Sequence, residues 1–370
     1  MRPQDPFIGR DILNGEFQIL QKIGSGGMGA VYKALQPAMN RMVAIKILHP
    51  KLANRKDLVA RFRREARAMG HLTHPNTVKV FGYGELEDGS LYIVMEFLEG
   101  KNLNQTVKAD GPMPMERALP ILIQACGALD EAHKQGIVHR DLKPENLFLC
   151  QAGGLKDYPK LLDFGLAKVT EREMRPGSVI LTQEGMVFGT PEFMSPEQAQ
   201  GKSLTPASDI YSLACILYEA LTGKLPFEAR GAMDYLNLHV TATPIPLSQR
   251  VPGKTFPPLL DRVIAKALSK KPEDRFSSAA DFAAALQVVL DGGSALPEHI
   301  AAGRPVVWVP KPEPSASTPN IPGPPSSGPL PAPVPRPKKG PSTALLIGVA
   351  LAFLIVGAGL AMAVMQLVNG

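Results

Sequence analysis

The stretch "ILQKIGSGGMGAVYKALQPAMNRMVAIKIL", residues 19–48, places glycines at Gly24, Gly26 and Gly29. Glycines at this spacing serve two unrelated phosphate-binding devices. In a dinucleotide-binding fold they end a strand and open a helix whose N-terminus receives the pyrophosphate. Here they are followed by "AVYKAL" and then "MVAIKIL", runs of β-branched and aromatic residues that favour strands. The glycines are therefore expected at the bend of an antiparallel hairpin, which could fold over phosphates and offer them unobstructed backbone N–H groups. A hairpin that binds nothing would have the same spacing, so the motif needs support from the rest of the chain.

Lys46 supplies some, because it stands inside the apolar run "VAIKIL", where a charge is costly without partners. One partner would be nucleotide phosphate. The other would be Glu65, in "LVARFRREARAMGHL", where Val59, Phe62, Ala66 and Met69 recur at helical spacing and put Glu65 near the apolar face. Spacing alone equally allows Glu65 to pair with Arg61 on a solvated face.

Downstream come "GIVHRDLKPENLFL", residues 136–149, and "KLLDFGLAK", residues 160–168. With these motifs the chain resembles the eukaryotic-like (Hanks-type) protein kinases, and among them the membrane-anchored Ser/Thr kinases of bacteria, over residues 16–290. The resemblance implies an α+β, two-lobed protein-kinase fold: a small antiparallel β lobe with one key helix over about 16–96, and a larger, mainly α lobe over about 100–290. It implies ATP and Mg²⁺, with Mn²⁺ as a substitute, as cofactors. Asp141 would orient or accept the proton of the substrate hydroxyl, and Lys143 would meet the transferring phosphate. Asn146 and Asp163 would hold the metal through hard oxygens. Gly24, Gly26 and Gly29 would cover the phosphates, and Lys46, paired with Glu65, would grip them. Ile23, Val31 and Ala44 would form the roof of a purine slot, Phe148 its floor and Met95 its back wall, with backbone groups of Glu96 and Leu98 at the adenine edge.

Ser/Thr specificity is implied by Lys143 and by "FGTPEFMSPEQ", similar to the family's substrate-seating loop, in which Thr190 would hydrogen-bond Asp141 and Lys143. Ser195 stands where Ala is usual in the family. The structural role there falls to Glu197, expected in a buried pair with Arg275, while Asp209 would hydrogen-bond the catalytic-loop backbone. Thr182, in the long segment between Asp163 and Glu197, aligns with the phosphorylated threonines of the bacterial kinases and is the expected autophosphorylation site. Its phosphate would pair with Arg140 and order the loop.

Other chemistries find little support. The three cysteines, Cys126, Cys150 and Cys215, lack metal spacing and read as reduced core thiols. A formal charge of +6, dispersed among acidic residues, does not suggest nucleic-acid binding. The principal alternative is a catalytically inactive pseudokinase scaffold. A small-molecule kinase is disfavoured by the loop from Gly189 to Glu197.

Residues 1–15 read as an N-terminal extension without an apolar signal region. Residues 291–342 are crowded with Pro, Ser, Ala and Gly and read as a disordered linker, able to extend on the order of 150 Å at about 3.1 Å per residue. The Pro-rich part or "PVVWVP" around Trp308 could dock a partner; a plain tether is the simpler reading. Residues 344–365, "ALLIGVALAFLIVGAGLAMAVM", are apolar all round and carry no charge, which suits a membrane span better than a buried core helix. Arg336, Lys338 and Lys339 precede it and residues 366–370 follow, so the kinase domain would be cytoplasmic and the short tail outside, with no sensor domain after the span unless the chain is a truncation of a longer protein. Expected partners are protein substrates, membrane lipid and, for trans-autophosphorylation, a second copy of the chain.

Overall fold

The computed structural model describes residues 5–26, 29–49, 56–152, 154–164 and 190–302. The segment carrying Thr182, the Pro-rich stretch from residue 303 and the apolar run 344–365 lie outside the described residues. Among the described residues no helix is long and apolar enough to cross a membrane.

The N-terminal half of the fold is an antiparallel sheet. Strands β1 (Asp11–Ile12), β2 (Phe17–Gly26), β3 (Gly29–Gln36), β4 (Arg41–Leu48), β5 (Val80–Glu85) and β6 (Leu91–Glu96) pair in the order β1-β2-β3-β4-β6-β5. The glycine run thus bends between two strands, as the strand-forming residues after it require. Gly29 is obligatory for packing: at φ 153° a Cβ there would lie 2.1 Å from the Ile47 carbonyl oxygen of the neighbouring strand. Helix α1 (Lys56–Gly70) turns Phe62, Ala66 and Met69 inward, which is the face its spacing predicts.

In the second half, β7 (Gly100–Asn102) leads into α2 (Leu103–Asp110) and α3 (Met115–Lys134), and β8 (Leu147–Ala152) then pairs with both β7 and β9 (Leu155–Leu161) in a small sheet. The helix Pro206–Thr222 is the centre of this lobe, and every residue from Ser208 to Tyr218 is buried. A helix apolar on all sides is stable only when surrounded, and α3 and the helices Pro258–Ala267 and Ala279–Leu290 pack against it. Its start is set by Pro206 in the first turn and by Ser208, whose hydroxyl accepts from the Thr205 N–H (3.1 Å), and its end by Gly223 in the left-handed conformation.

The edges of the fold lie further out than the composition suggests. The N-terminal extension is built into the sheet: Gly9 N–H donates to the Ile19 carbonyl (2.9 Å), and the Tyr32 hydroxyl donates to Asp5 (3.1 Å). At the other end the fold continues past residue 290 into the helix Glu298–Ala302, where Ile300 is buried and Lys266 donates to the Ala301 carbonyl. A helix of five residues with one large apolar side chain gives too short a periodic signal for sequence reading to detect.

The lobe is also held by a buried ion pair. Arg275, 1% exposed, places all five of its N–H donors: Nη1 on Glu197 Oε1 and the Ala207 carbonyl (both 2.8 Å), Nη2 on Glu197 Oε2 (2.9 Å) and the Lys270 carbonyl (3.1 Å), Nε on the Ser269 carbonyl (2.8 Å). Burial alone would raise the Glu197 carboxyl; the hydrogen bonds and charge of Arg275 hold it below its ordinary value. The pair is expected to matter chiefly when half of it is removed. Arg275→Met, leaving Glu197 buried, should lower unfolding free energy by about 3–5 kcal/mol in urea titration, whereas the double variant with Glu197→Leu should recover much of that loss.

Candidate active site

The centre of the site is a loop held from below. Asp209, 2% exposed on the helix Pro206–Thr222, accepts from the backbone N–H of His139 (2.8 Å, Oδ2) and of Arg140 (3.0 Å, Oδ1), and lies 2.8 Å from His133 Nε2. Burial opposes its charge, but the His133 hydrogen bond and the two backbone donors hold the carboxyl below the usual aspartate range. His139, fully buried, donates Nε2–H to the Leu162 carbonyl (2.8 Å), and burial keeps its pKa below the ordinary value. The predicted contact of Asp209 with the catalytic-loop backbone is thus formed. The His133 partner was not anticipated, because a single His on an apolar helix face carries no distinguishing spacing.

On this support the loop brings together four of the predicted groups. Lys143 Nζ lies 2.8 Å from Asp141 Oδ2, and Asn146 Nδ2 donates to the Asp141 carbonyl (2.7 Å) and more weakly to its Oδ2 (3.3 Å). Asp163 follows β9, which is tied to the loop by the Leu162 N–H on the Asn146 carbonyl (2.9 Å). Arg140 (φ 68°) and Asp163 (φ 54°) both have left-handed backbone, unusual for residues other than glycine. Such conformations persist only where the surrounding structure imposes them, and here they flank the reacting centre.

Lys46 reaches this centre from the small lobe, with Nζ 2.7 Å from Asp163 Oδ2. Burial would raise the Asp163 carboxyl, and the Lys46 charge and hydrogen bond, with His139 and Lys143, bring it below its ordinary value. The pairing differs from the one expected: Lys46 takes Asp163, and Glu65, half-buried in α1, is not its ion-pair partner in this structure. The left-handed turn at Asp163 brings that carboxylate within reach of the ammonium. Thr190 borders the same small cleft as Asp141, with Arg140, Phe193 and Gln198, but no Thr190–Asp141 hydrogen bond forms among the described residues. Gln198, which the sequence reading did not single out, donates Nε2–H to the Arg140 carbonyl (3.0 Å).

The apolar slot residues occupy one register. Gly24 pairs with Val31, Val31 with Lys46, and Ala44 with Met95, so the expected roof, lysine and back wall lie on adjoining strands. Ala44 (7%) and Met95 (8%) are buried, Val31 and Leu98 pack against the same core, and Ile23 is 45% exposed. Phe148 follows the catalytic loop in β8, opposite Lys160 of β9. The Glu96 N–H is bonded to the Lys79 carbonyl (2.9 Å), so of its two backbone groups only the carbonyl would be left for the expected adenine edge. Its carboxylate is engaged by Lys160 (2.7 Å), an ion pair that no local spacing could reveal.

These donors fit a nucleotide with a hard cation. Asp163 is ionised, and Asn146, whose amide nitrogen is spent on Asp141, has its amide oxygen as the remaining acceptor; oxygen donors of this kind suit Mg²⁺. Among the described residues no cluster of three or more His, Cys, Asp or Glu forms an all-protein metal cage, so a cation here would share its ligands with phosphate and water. An added Cβ at Gly26 would meet no atom within 4 Å, so packing does not demand glycine there and the backbone is open to a ligand.

Residues 17–288 match the model of the protein kinase domain. The chain belongs to the eukaryotic-like Ser/Thr protein kinase family. It is 41% identical over 285 residues to the serine/threonine-protein kinase pkn3 of Myxococcus xanthus, covering 77% of this chain and 52% of that protein. The chain spans about half the length of this curated relative, or less of others. Among solved structures it is similar to the kinase domain of Mycobacterium tuberculosis PknI (TM-score 0.58, 27% identity, 75% of this chain and 97% of that one). It is also similar to residues 1–466 of Rad53 in complex with AMP-PNP (TM-score 0.59, 27% identity, 73% and 65%). The two-lobed kinase fold expected from the motifs is therefore the fold observed.

The Asp209 geometry makes a sharp prediction for this kinase domain. Asp209→Asn keeps the shape but turns an NH₂ group toward a backbone N–H, and is expected to cost about 1–3 kcal/mol at pH 7. Because the folded carboxyl is held low, its stabilisation is complete above the ordinary aspartate value of about 3.9 and is lost as pH falls through the lower folded value. The gap between wild type and Asp209→Asn in urea titrations should therefore narrow below about pH 4.

Proposed function

We propose that this protein is a membrane-tethered protein serine/threonine kinase that transfers the ATP γ-phosphate to Ser and Thr hydroxyls of protein substrates. The observation that carries the reading is the convergence of Asp141, Lys143, Asn146, Asp163 and Lys46 on one centre, with successive contacts of 2.7–2.9 Å. Family membership and the fit of the donor set to ATP with Mg²⁺ support it.

In this reading Asp141 receives the hydroxyl proton of the acceptor at its carboxylate and aligns the oxygen for attack. Lys143, already on Asp141, is placed to neutralise charge on the transferred group. Lys46 binds phosphate oxygens, and its 13% side-chain exposure limits competition from water. Asp163 and the Asn146 amide oxygen would hold the cation, whose charge would offset that of the phosphates. The backbone of the glycine hairpin covers them.

Incorporation of labelled phosphate into casein and into the chain itself tests the activity and separates a kinase from a pseudokinase scaffold. Asp141→Asn is expected to reduce the rate by about 10²–10⁴-fold, and Asp163→Ala to abolish it, with thermal unfolding still cooperative in both. We further propose that Thr182 is the activating autophosphorylation site. Arg140, next to Asp141, would receive its phosphate, and ordering of the loop would favour the active arrangement with Glu65 turned to Lys46. Phosphosite mapping of wild type beside Asp163→Ala should find Thr182 modified only in the former, and Thr182→Ala should be several-fold slower.

The tether rests on the uncharged run 344–365 and the basic residues before it. The full chain is expected in the membrane fraction, resistant to carbonate extraction, with its kinase domain protected from protease added to intact cells. Recovery in the soluble fraction, or digestion of that domain, would contradict the tether or its orientation.

A further inference from the structure

The turn that follows Thr190 is held by a side chain from a distant helix. His239, on the helix Ala232–Thr241, is 0% exposed, with Nε2 3.1 Å from the Glu192 carbonyl oxygen and Nδ1 2.9 Å from the Tyr211 hydroxyl. A carbonyl oxygen can only accept, so Nε2 carries the hydrogen; Nδ1 is then an acceptor and Tyr211 its donor. The imidazole is thereby fixed in both tautomer and orientation. Its ring meets Tyr211 (5.5 Å between centroids) and Phe227 (5.0 Å) edge-on, which restricts rotation further.

The helix carrying His239 is anchored as well. Lys270 Nζ donates to the His239 carbonyl (2.9 Å) at the last turn and lies 4.5 Å from the centre of the Phe227 ring, while its own carbonyl accepts from Arg275. A chain of contacts thus runs from Glu197 and Arg275 through Lys270 and His239 to the carbonyl of Glu192. That residue lies inside the short turn Pro191–Phe193, directly after Thr190 and beside the cleft that contains Asp141. Burial holds the imidazole to about 4, so the donor is neutral at physiological pH and adds no charge beneath the acceptor site.

We propose that His239 is a positioning residue for phosphoacceptor binding: by fixing the Glu192 carbonyl it sets the turn on which the protein substrate is seated, without touching the nucleotide. The inference rests on the kinase reading above. Tyr211 acts behind it, by holding Nδ1.

Steady-state kinetics of the full chain with dephosphorylated casein and ATP as varied substrates test this, because a generally loosened fold would affect both substrates. His239→Phe keeps the ring but loses the donor, and is expected to raise KM for casein about tenfold while KM for ATP changes by less than about twofold. His239→Gln, which can again offer an N–H near the Nε2 position, should recover most of the loss. Equal effects on the two KM values, no effect on either, or no recovery by Gln would overturn the proposal. If His239→Phe does not fold, Tyr211→Phe decides by the same split, with a smaller rise for casein expected and an unchanged casein KM counting against. Failure of the wild type to transfer phosphate would instead remove the kinase reading, and this inference with it.

Discussion

The catalytic arrangement depends on one buried carboxylate. Asp209 sits in a helix that is otherwise among the most apolar parts of the chain, and a lone charge there would be prohibitively costly. It is tolerated because its oxygens are met by His133 and by two consecutive backbone N–H groups, those of His139 and Arg140. Those two bonds fix the peptide planes just before Asp141 and help to hold Arg140 in its left-handed conformation. The positions of Asp141, Lys143 and Asn146 follow from that turn. A helix packed on all sides is the stiffest available support, and the loop inherits its rigidity.

The two lobes use charge differently. In the large lobe, Arg275 has a protein acceptor for every N–H, and Glu197 receives two of them. Such a pair has no capacity left for a ligand, and its role is to fix the substrate-side segment onto the helix Pro206–Thr222. Lys46 has three donors, of which one goes to Asp163. Asp141, Lys143 and Asn146 are bonded among themselves, and Asp163 is bonded to Lys46. Fully paired polar groups build the frame, and the charged and amide groups that would face phosphate and a cation in the proposed reading are gathered at the centre.

Most of this was legible in the sequence, for identifiable reasons. The hairpin at the glycine run follows from strand formers on both sides, the inward face of α1 from the spacing of Phe62, Ala66 and Met69, and the site residues from short ordered motifs. The contacts that sequence reading missed join residues far apart in the chain through unremarkable side chains: Lys160 with Glu96, His133 with Asp209, His239 with Glu192. Each buried polar group needs a partner, but sequence separation does not reveal which one. The partner of Lys46 in this structure was not the one expected, for a related reason. Both Glu65 and Asp163 are chemically suitable, and sequence spacing does not tell which of them the ammonium reaches; here it lies on Asp163.

The same logic explains why a histidine suits position 239. A Lys or Arg could donate to the Glu192 carbonyl, but it would put a second cation close to Lys270, which burial already pushes down to about 8. An Asn or Gln could donate, yet its flexible amide could turn either end toward the carbonyl unless a second partner fixed it. The imidazole offers a donor on one edge and an acceptor on the other, and the Tyr211 hydroxyl uses the acceptor, so only one orientation satisfies both neighbours. Its aromatic body also fills the space against Phe227 and Tyr211 that a smaller amide would leave partly empty. Position 239 therefore calls for a neutral, two-sided group: histidine supplies it with full packing, and a glutamine oriented by Tyr211 would supply the donor with a less complete fill.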